Sequence, residues 1–247
     1  MSSLHKSAAL TDIGHVREEN QDAFFLDDGL GLYIVADGLG GMRDGAAAAH
    51  YVIDDLPGML QAGLESLAEP DAEKAAAAIR ESIVALSNGA CERLGAGSGA
   101  TVVLAWLRGE GAFIAHLGDS RAYLLRQGSL EALTEDHNVA RLLVEMGRIT
   151  REQARTHPSR HQVVGCVGMA DDPAPEVKVV PLEPGDRLLL CSDGLTGMVP
   201  EEEIAAILDG EKDRAKAAEA LVAKANEAGG YDNVTVVVVD VAPGRDF

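Results

Sequence analysis

The stretch Leu32-Tyr33-Ile34-Val35-Ala36-Asp37-Gly38 runs five apolar residues into an aspartate and a glycine. Such a short run, rich in β-branched and aromatic residues and bounded by a turn signal, predicts a buried β-strand. The same arrangement recurs at His116-Leu117-Gly118-Asp119-Ser120 and at Leu189-Leu190-Cys191-Ser192-Asp193-Gly194, and Asp232-Asn233 stands just before the last apolar run. Carboxylates at strand ends can meet at one edge of a sheet sandwich.

These strand-end aspartates predict a metal site. Carboxylates a few ångströms apart repel one another and take up protons unless cations pair with them. Carboxylate and backbone carbonyl oxygens suit hard Mg²⁺ or Mn²⁺, whereas zinc sites use histidine and cysteine. Asp-Gly is also a common turn dipeptide, so a turn explains any single case. Repetition at every one of these strand ends favours a metal cluster over unrelated turns.

Further apolar runs short enough for β-strands recur along the chain, several joined by hairpin-like turns such as Gln127-Gly128. Short connections of this kind predict mostly antiparallel pairing. The predicted strands are Ala8–Leu10, Ala23–Leu26, Leu32–Ala36, Thr101–Leu107, Ala112–Leu117, Arg121–Leu125, Val177–Val180, Arg187–Cys191 and Val234–Val241.

Two pairs of longer segments have helical spacing. They are Asp44–Leu67 and Asp71–Leu94, then Pro200–Leu208 and Asp213–Ala228. Pro57 is expected to kink the first helix, and Pro70 to separate it from the second. A polar helical insert, His137–His161, is expected to face solvent. The order of strands and helix pairs predicts sheets held between helices in one domain.

The chain is strongly acidic. Its 247 residues suffice for one large domain, and 21 Lys and Arg against 40 Asp and Glu give a formal charge of −19. Nucleic acid and anionic membranes would be repelled, so we expect neither as a partner. An anionic substrate would need local positive charge at its site. Arg17, in the loop sequence Arg17-Glu18-Glu19-Asn20-Gln21-Asp22, can bind phosphate oxygens through its forked guanidinium.

Cysteine use and the N-terminal residues predict a cytoplasmic protein. Cys91, Cys166 and Cys191 are widely spaced, odd in number and without a C-x-x-C pattern. Neither a disulfide framework nor a zinc knuckle is expected from them. The segment Met1–Thr11 lacks the layout of a signal peptide, and no apolar run approaches the ~18 residues of a membrane helix.

Six short motifs follow one another along the chain. They are Arg17-x-x-Asn20-Gln21-Asp22, Val35-Ala36-Asp37-Gly38-x-Gly40-Gly41, Gly99-Ala100-Thr101, Gly118-Asp119-Ser120-Arg121, Cys191-Ser192-Asp193-Gly194-Leu195 and Asp232-Asn233-Val234-Thr235. In order and approximate spacing they resemble the metal-dependent protein phosphatases of the type 2C class (the PPM family), most closely the bacterial members. The resemblance extends from about Ala8 to Val241.

This resemblance implies an α+β fold, in which a central antiparallel β-sandwich is flanked on both sides by pairs of α-helices in four layers (αββα). One catalytic domain would span residues 1–247, with a small helical flap insert at about 136–168. The implied enzyme is a protein serine/threonine phosphatase, a phosphoric monoester hydrolase of signal transduction. It would act as a monomer on phosphorylated proteins and counteract a bacterial Ser/Thr kinase.

The resemblance also implies two or three Mg²⁺ or Mn²⁺ ions per chain. Asp37 would bridge two of them, and the Gly38 carbonyl would ligate one of this pair. Asp193 and Asp232 would ligate the other. Asp119 would help Asp193 to hold a third, weaker ion.

Two further residues take roles from the resemblance. Asp22 would be an outer-shell carboxylate that reaches a metal through water, and Arg17 would bind the substrate phosphate. Arg17 and Asp37 are therefore the predicted catalytic residues. Phosphate monoesters need accelerations of up to ~10²¹, and a hydroxide that bridges two metals can attack phosphorus directly, without a protein nucleophile.

The sequence departs from the family pattern at two places. Many eukaryotic members have a histidine, proposed as the general acid, where this chain has Leu39, so that role is unassigned and a metal-bound water is the expected substitute. Val163–Gly168, at the end of the flap, lacks the larger residue usual there. Among the histidines, His50 and His116 are expected to be structural.

Three other readings of the sequence remain open. A dinucleotide fold would use the glycines after Asp37, but Arg43 replaces its third glycine and Asp37 would repel a pyrophosphate. A serine hydrolase built on Gly118-Asp119-Ser120 lacks a G-x-S-x-G elbow. A phosphoprotein-binding module without activity would be favoured by the loss of a metal carboxylate, yet all are present.

Overall fold

Ten β-strands and seven α-helices make up the computed structural model over the residues it describes, 5–39, 44–67, 71–95, 97–169 and 173–242. The strands are β1 His5–Asp12, β2 Asp22–Asp27, β3 Leu32–Asp37, β4 Val102–Arg108, β5 Gly111–Leu117, β6 Arg121–Arg126, β7 Ser129–Ala132, β8 Glu176–Pro181, β9 Arg187–Cys191 and β10 Val234–Val241. The helices are α1 Gly45–Glu65, α2 Ala72–Leu94, α3 Val139–Glu145, α4 Arg151–Arg155, α5 Asp193–Thr196, α6 Glu201–Gly210 and α7 Arg214–Glu227.

The strands form two five-stranded sheets. The first has the order β1-β10-β9-β6-β7 and the second the order β2-β3-β4-β5-β8. Every pairing between these strands is antiparallel, which confirms the predicted pairing. The first and last strands of the chain, β1 and β10, are neighbours in the first sheet, so both ends of the described chain are held in one layer.

Each strand contributes side chains to two layers of the core, because successive side chains of a strand point to opposite faces. In β3, Leu32 and Ile34 belong to the cluster shared with α1 and α2. Tyr33 and Val35 belong to the cluster between the two sheets. Both faces of β3 are thus buried, which explains why its sequence is apolar throughout rather than alternating.

Helices cover the outer face of each sheet. The α1–α2 pair packs on the second sheet, and α6 and α7 pack on the outer face of the first. The result is the predicted four-layer αββα arrangement. Helix α1 runs unbroken through Pro57. Pro70, expected to separate α1 from α2, lies outside the described residues. None of the described helices has the length and apolar character needed to cross a membrane.

The predicted insert forms α3, α4 and a 3-10 helix, Pro158–His161, which together present mostly exposed or half-exposed side chains. We call residues 136–168 the flap. Its first residues are anchored to the second sheet, because the His137 backbone N–H donates to the Gly118 carbonyl. The Val164 N–H in turn donates to the His137 carbonyl, so both ends of the flap meet at the end of β5.

Candidate active site

Five aspartates come together where the ends of the two sheets meet. Asp22 begins β2 and is the register partner of Asp37, which ends β3. Asp119 follows β5, Asp193 follows β9, and Asp232 precedes β10. The charges of the other four all act on Asp37. The structure therefore gathers the carboxylates that the sequence predicts to meet.

Burial and mutual repulsion shift the ionisation of this cluster. Burial is the main cause that raises the pKa of Asp37 well above its usual range, and the neighbouring carboxylates raise it further. The same causes raise the pKa of Asp22 to about 7 and that of Asp119 to about 8. The pKa of Asp193 is raised as well, chiefly by burial and then by the charge of Asp232. Without cations, the cluster favours protonated carboxyl groups near neutral pH.

Two glycines let the strand ends approach this closely. A Cβ on Gly38 would collide with the Gly45 backbone and lie 2.7 Å from the Gln21 carbonyl oxygen. A Cβ on Gly194 would fall on the Asn233 carbonyl oxygen, that is, on the segment that leads into β10. The glycines of these Asp-Gly pairs therefore serve close backbone approach between elements, and not only turns. Gly40 and Gly41 of the same motif lie outside the described residues.

Arg17 stands at the rim of the cluster. Its Nη2 donates to Asp232 Oδ2 at 2.6 Å, and the side chain is 41% exposed. The hydrogen bond to Asp232 is the main cause that raises the pKa of Arg17, and the charges of Asp37 and Asp193 contribute as well. The guanidinium is thus a solvent-accessible cation beside the carboxylates, where an anionic group could reach it.

Hydroxyl side chains hold the aspartates in place. Ser192 Oγ donates to Asp22 Oδ2 at 2.7 Å and accepts from the Thr235 N–H at 3.0 Å. Thr101 Oγ1 accepts from the Asp37 N–H at 3.1 Å and shares a 2.6 Å hydrogen bond with Ser120 Oγ. These four hydroxyl residues are almost completely buried. Each stands inside one of the quoted motifs, but none was predicted to position an aspartate, and Ser120 was considered only as the nucleophile of the serine hydrolase alternative.

Asn233 was also missed as a positioning residue. Its Nδ2 donates to the carbonyls of Ile13 and Glu19, and its Oδ1 accepts from the Gln21 N–H. The side chain therefore ties the loop that carries Arg17 to the segment that carries Asp232. Only an amide could supply both donors and the acceptor here, since aspartate has no N–H to donate.

The donor set fits hard divalent cations. Asp22 Oδ1 is buried and has no hydrogen-bond partner among the described residues, which is costly unless something else binds it. All the clustered side-chain ligand atoms are carboxylate oxygens, and burial, followed by the neighbouring negative charges, raises the pKa of Asp22, Asp37, Asp119 and Asp193. Mg²⁺ or Mn²⁺ would relieve both features.

The flap reaches this site from one side. Asp136, at its start, receives two hydrogen bonds from Arg121, at 2.7 and 2.8 Å, and its charge raises the pKa of Asp119. His161, in the 3-10 helix, lies close enough for its charge to lower the pKa of Asp193. The flap therefore contributes to the electrostatics of the cluster through both of its ends.

A separate cluster at the base of the flap is structural. The rings of His116 and His137 stack with centroids 4.5 Å apart, and His137 Nε2 lies 3.4 Å from Glu176 Oε1. Several polar atoms here already have partners, because His116 Nε2 bonds the Glu135 carbonyl, His137 Nδ1 accepts from the Gly118 N–H at 3.3 Å, and Arg141 donates to Glu176 at 2.6 Å. Burial lowers the pKa of both histidines. His116 is thus a satisfied buried histidine, as expected, and His50 lies on the exposed side of α1.

A family model described as protein phosphatase 2C matches residues 14–239. The chain belongs to the protein phosphatase 2C family. It is 36% identical over 247 residues to the serine/threonine phosphatase stp of Listeria welshimeri, with 96% of this chain and 97% of that protein covered. It is 34% identical over 244 residues to the protein phosphatase PhpP of Streptococcus pneumoniae strain D39, with 94% and 96% covered.

Solved structures agree with this assignment. The serine/threonine phosphatase PstP/Ppp of Mycobacterium tuberculosis matches with a TM-score of 0.80 and 35% identity, over 96% of this chain and 99% of that chain. The serine/threonine phosphatase of S. agalactiae matches with a TM-score of 0.84 and 33% identity, over 96% and 99%. A catalytic domain of PstP that matches with a TM-score of 0.74 and 34% identity, over 96% and 98%, was solved in complex with two manganese ions.

These similarities confirm the predicted family, fold class and enzyme class. The chain is a metal-dependent protein serine/threonine phosphatase of bacterial type, and the predicted use of Mg²⁺ or Mn²⁺ is confirmed with it. Phosphorylated proteins are accordingly its substrates. The dinucleotide and serine hydrolase readings are thereby set aside.

Proposed function

We propose that this phosphatase hydrolyses phosphoserine and phosphothreonine at the five-aspartate cluster, with Arg17 binding the phosphate. The observation that carries the proposal is the convergence of carboxylates from both sheets beside one accessible guanidinium. An arginine fork can donate two hydrogen bonds to phosphoryl oxygens, and it would offset the repulsion between an anionic substrate and a chain of net charge −19.

The cations would be held by residues of this cluster. Asp37 would bridge two of them, the Gly38 carbonyl would bind one, and Asp193 and Asp232 the other. Asp119 would hold a third ion together with Asp193. When bound, such cations lower the pKa of water and neutralise the phosphoryl oxygens.

The chain's own groups would do three things in this reaction. Arg17 would leave Asp232 and turn its fork to the phosphate, orienting the phosphorus for in-line displacement. Asp22 would orient water through its unpartnered Oδ1. Ser192 would hold Asp22 Oδ2 at 2.7 Å, which leaves Oδ1 as the free acceptor. No side-chain nucleophile is required, because water can displace the phosphoryl group directly; the hydroxyls of Ser120 and Ser192 bond Thr101 and Asp22.

The proposal also covers the domain organisation, the oligomeric state and the location of the enzyme. One catalytic domain would span residues 1–247, with residues 136–168 as a flap subdomain, and the enzyme would act as a monomer in the cytoplasm against a bacterial Ser/Thr kinase. Three free cysteines are consistent with a reducing compartment. Sedimentation should give a single species near the 25.9 kDa mass of the chain.

Hydrolysis of a phosphothreonine peptide with Mn²⁺ tests the proposed site. We expect Asp193→Asn to lower kcat by at least about 100-fold, because a carboxylate that binds catalytic cations is lost. The matched control is Asp54→Asn, an exposed aspartate on α1 that should leave the rate unchanged. Equal rates for the two variants would refute the assignment. A folded, Mn²⁺-loaded wild type that binds the peptide without hydrolysing it would indicate a binding module instead.

A further inference from the structure

Large apolar side chains are exposed unusually close to the proposed site. Among the described residues, seven large hydrophobic side chains are exposed, and three of them, Ile13, Val16 and Tyr231, lie on the two loops that carry Arg17 and Asp232. Val16 directly precedes Arg17, and Tyr231 directly precedes Asp232. Their exposed fractions are 58% for Val16 and 62% for Tyr231. Single exposed hydrophobics are ordinary, but a group beside an active site indicates a contact surface.

The two loops are bonded to each other and form one ridge. The His15 N–H donates to the Gly230 carbonyl at 2.7 Å, and the Arg17 side chain bonds Asp232 at 2.6 Å. Gly14 has a φ of +78°, and a Cβ there would lie 2.8 Å from the Gly230 carbonyl oxygen. The loops are therefore joined on both sides of Val16 and Tyr231, by a backbone hydrogen bond on one side and by the Arg17–Asp232 ion pair on the other, and both apolar side chains are exposed to solvent.

We propose that Val16 and Tyr231 form an apolar platform for the substrate residue next to the phosphorylated serine or threonine. The inference rests on the proposed function, since Arg17 fixes the phosphate one residue away from Val16. Consecutive Cα atoms are only about 3.8 Å apart, so a bound phosphopeptide brings the residues that flank the phosphorylated one close to the ridge. The favoured substrate class is phosphoproteins with an aliphatic or aromatic residue adjacent to the phosphorylated one.

The surrounding charge supports an apolar neighbour over an acidic one. Glu18 and Glu19 follow Arg17 and are both exposed, and the whole chain carries −19. An acidic flanking residue would meet like charge here, and its desolvation against Val16 and Tyr231 would be unfavourable. An apolar residue would instead bury area on both side chains, which stabilises the bound peptide.

Two phosphothreonine peptides that differ only at the flanking positions test this. One carries Leu on both sides of the phosphothreonine and the other Gly, with identical ends. For the wild type with Mn²⁺, we expect kcat/KM to be about tenfold higher for the Leu peptide, the size of effect that apolar contacts usually give. The difference should lie mainly in KM, because the platform would hold substrate and transition state alike.

The variants Val16→Ser and Tyr231→Ser should each reduce that preference, and together should abolish it. Val179→Ser, at a 47% exposed apolar residue of β8, is the matched control and should keep the full preference. Equal kcat/KM for the Leu and Gly peptides in the wild type, or a preference that survives in the double variant, would overturn the platform. Failure of the wild type to hydrolyse either peptide would instead overturn the proposed function.

Discussion

Removing the divalent cations should make the stability of the fold fall as pH rises, and Asp22 illustrates the reason. Its pKa is raised from 3.8 to about 7 in the folded chain, chiefly by burial. Between these values the folded state keeps a proton that the unfolded state has lost, so the free energy of unfolding decreases with pH. This contribution is complete below about pH 4 and is lost once the pH passes about 7.

The size of the effect follows from the shift. Each pKa unit corresponds to about 1.36 kcal/mol, and Asp22 is half ionised by pH 7, so the change between pH 5 and pH 7 amounts to about 2 kcal/mol for Asp22 alone. Asp119, with a pKa of about 8, should extend the decline to higher pH. Urea unfolding in EDTA at pH 5, 6, 7 and 8 measures it.

Asp22→Asn isolates the contribution. Asn keeps an oxygen for the Ser192 hydroxyl but cannot ionise, so the loss of stability between pH 5 and pH 7 should shrink by about 2 kcal/mol relative to wild type. In saturating Mg²⁺ the wild-type decline should disappear, because cations bind the ionised carboxylates of the folded state. A variant with the same pH dependence as wild type, or a metal-free wild type that gains stability with pH, would refute the reasoning.

Other substitutions test the packing. Gly194→Ala should destabilise the fold by about 3 kcal/mol in urea, since the methyl group meets the Asn233 carbonyl; a change below about 0.5 kcal/mol would contradict this close approach. Arg187→Met should lower the free energy of unfolding by about 3 kcal/mol in the same assay, because the buried guanidinium donates to three carbonyls near the end of α6 and to a carboxylate of β10. An unchanged free energy of unfolding would show that these hydrogen bonds do not stabilise the fold. Leu56→Ala, at a fully buried position, should cost about 2–5 kcal/mol, and Leu26→Ala, at a 37% exposed one, under about 1 kcal/mol; equal losses would argue against the assigned core.

The strands could be predicted where burial is complete on both faces. The run Val234–Val241 is the last strand with the bounds that its sequence predicts, because a strand between two layers must be apolar at nearly every position. The strand Ser129–Ala132 was missed. It has four residues, lies at the edge of its sheet and is largely exposed, so neither run length nor alternation marks it.

The aspartates of the site could be predicted because each follows or precedes a recognisable strand. Their supporting hydroxyls could not, because their partners depend on how the two sheets are aligned. Ser192 bonds Asp22 across 170 residues of sequence, and the pair joins β9 of one sheet to β2 of the other. A polar residue inside a motif is the only sequence signal for such a contact, and it does not indicate which residue is the partner.

The buried aspartate cluster is needed for catalysis but destabilises the fold, and the packed layers beneath it compensate for this destabilisation. Burial of Asp22 and Asp37 opposes folding near neutral pH, whereas the three apolar clusters between the layers favour it. Because the backbone of the site belongs to strands held by those layers, the carboxylates stay together without cations. Metal binding then relieves repulsion in a cluster that is already assembled, and its free energy adds to that of folding. Substitutions deep in the core that loosen the strand ends should therefore weaken metal affinity, even where no metal ligand is touched.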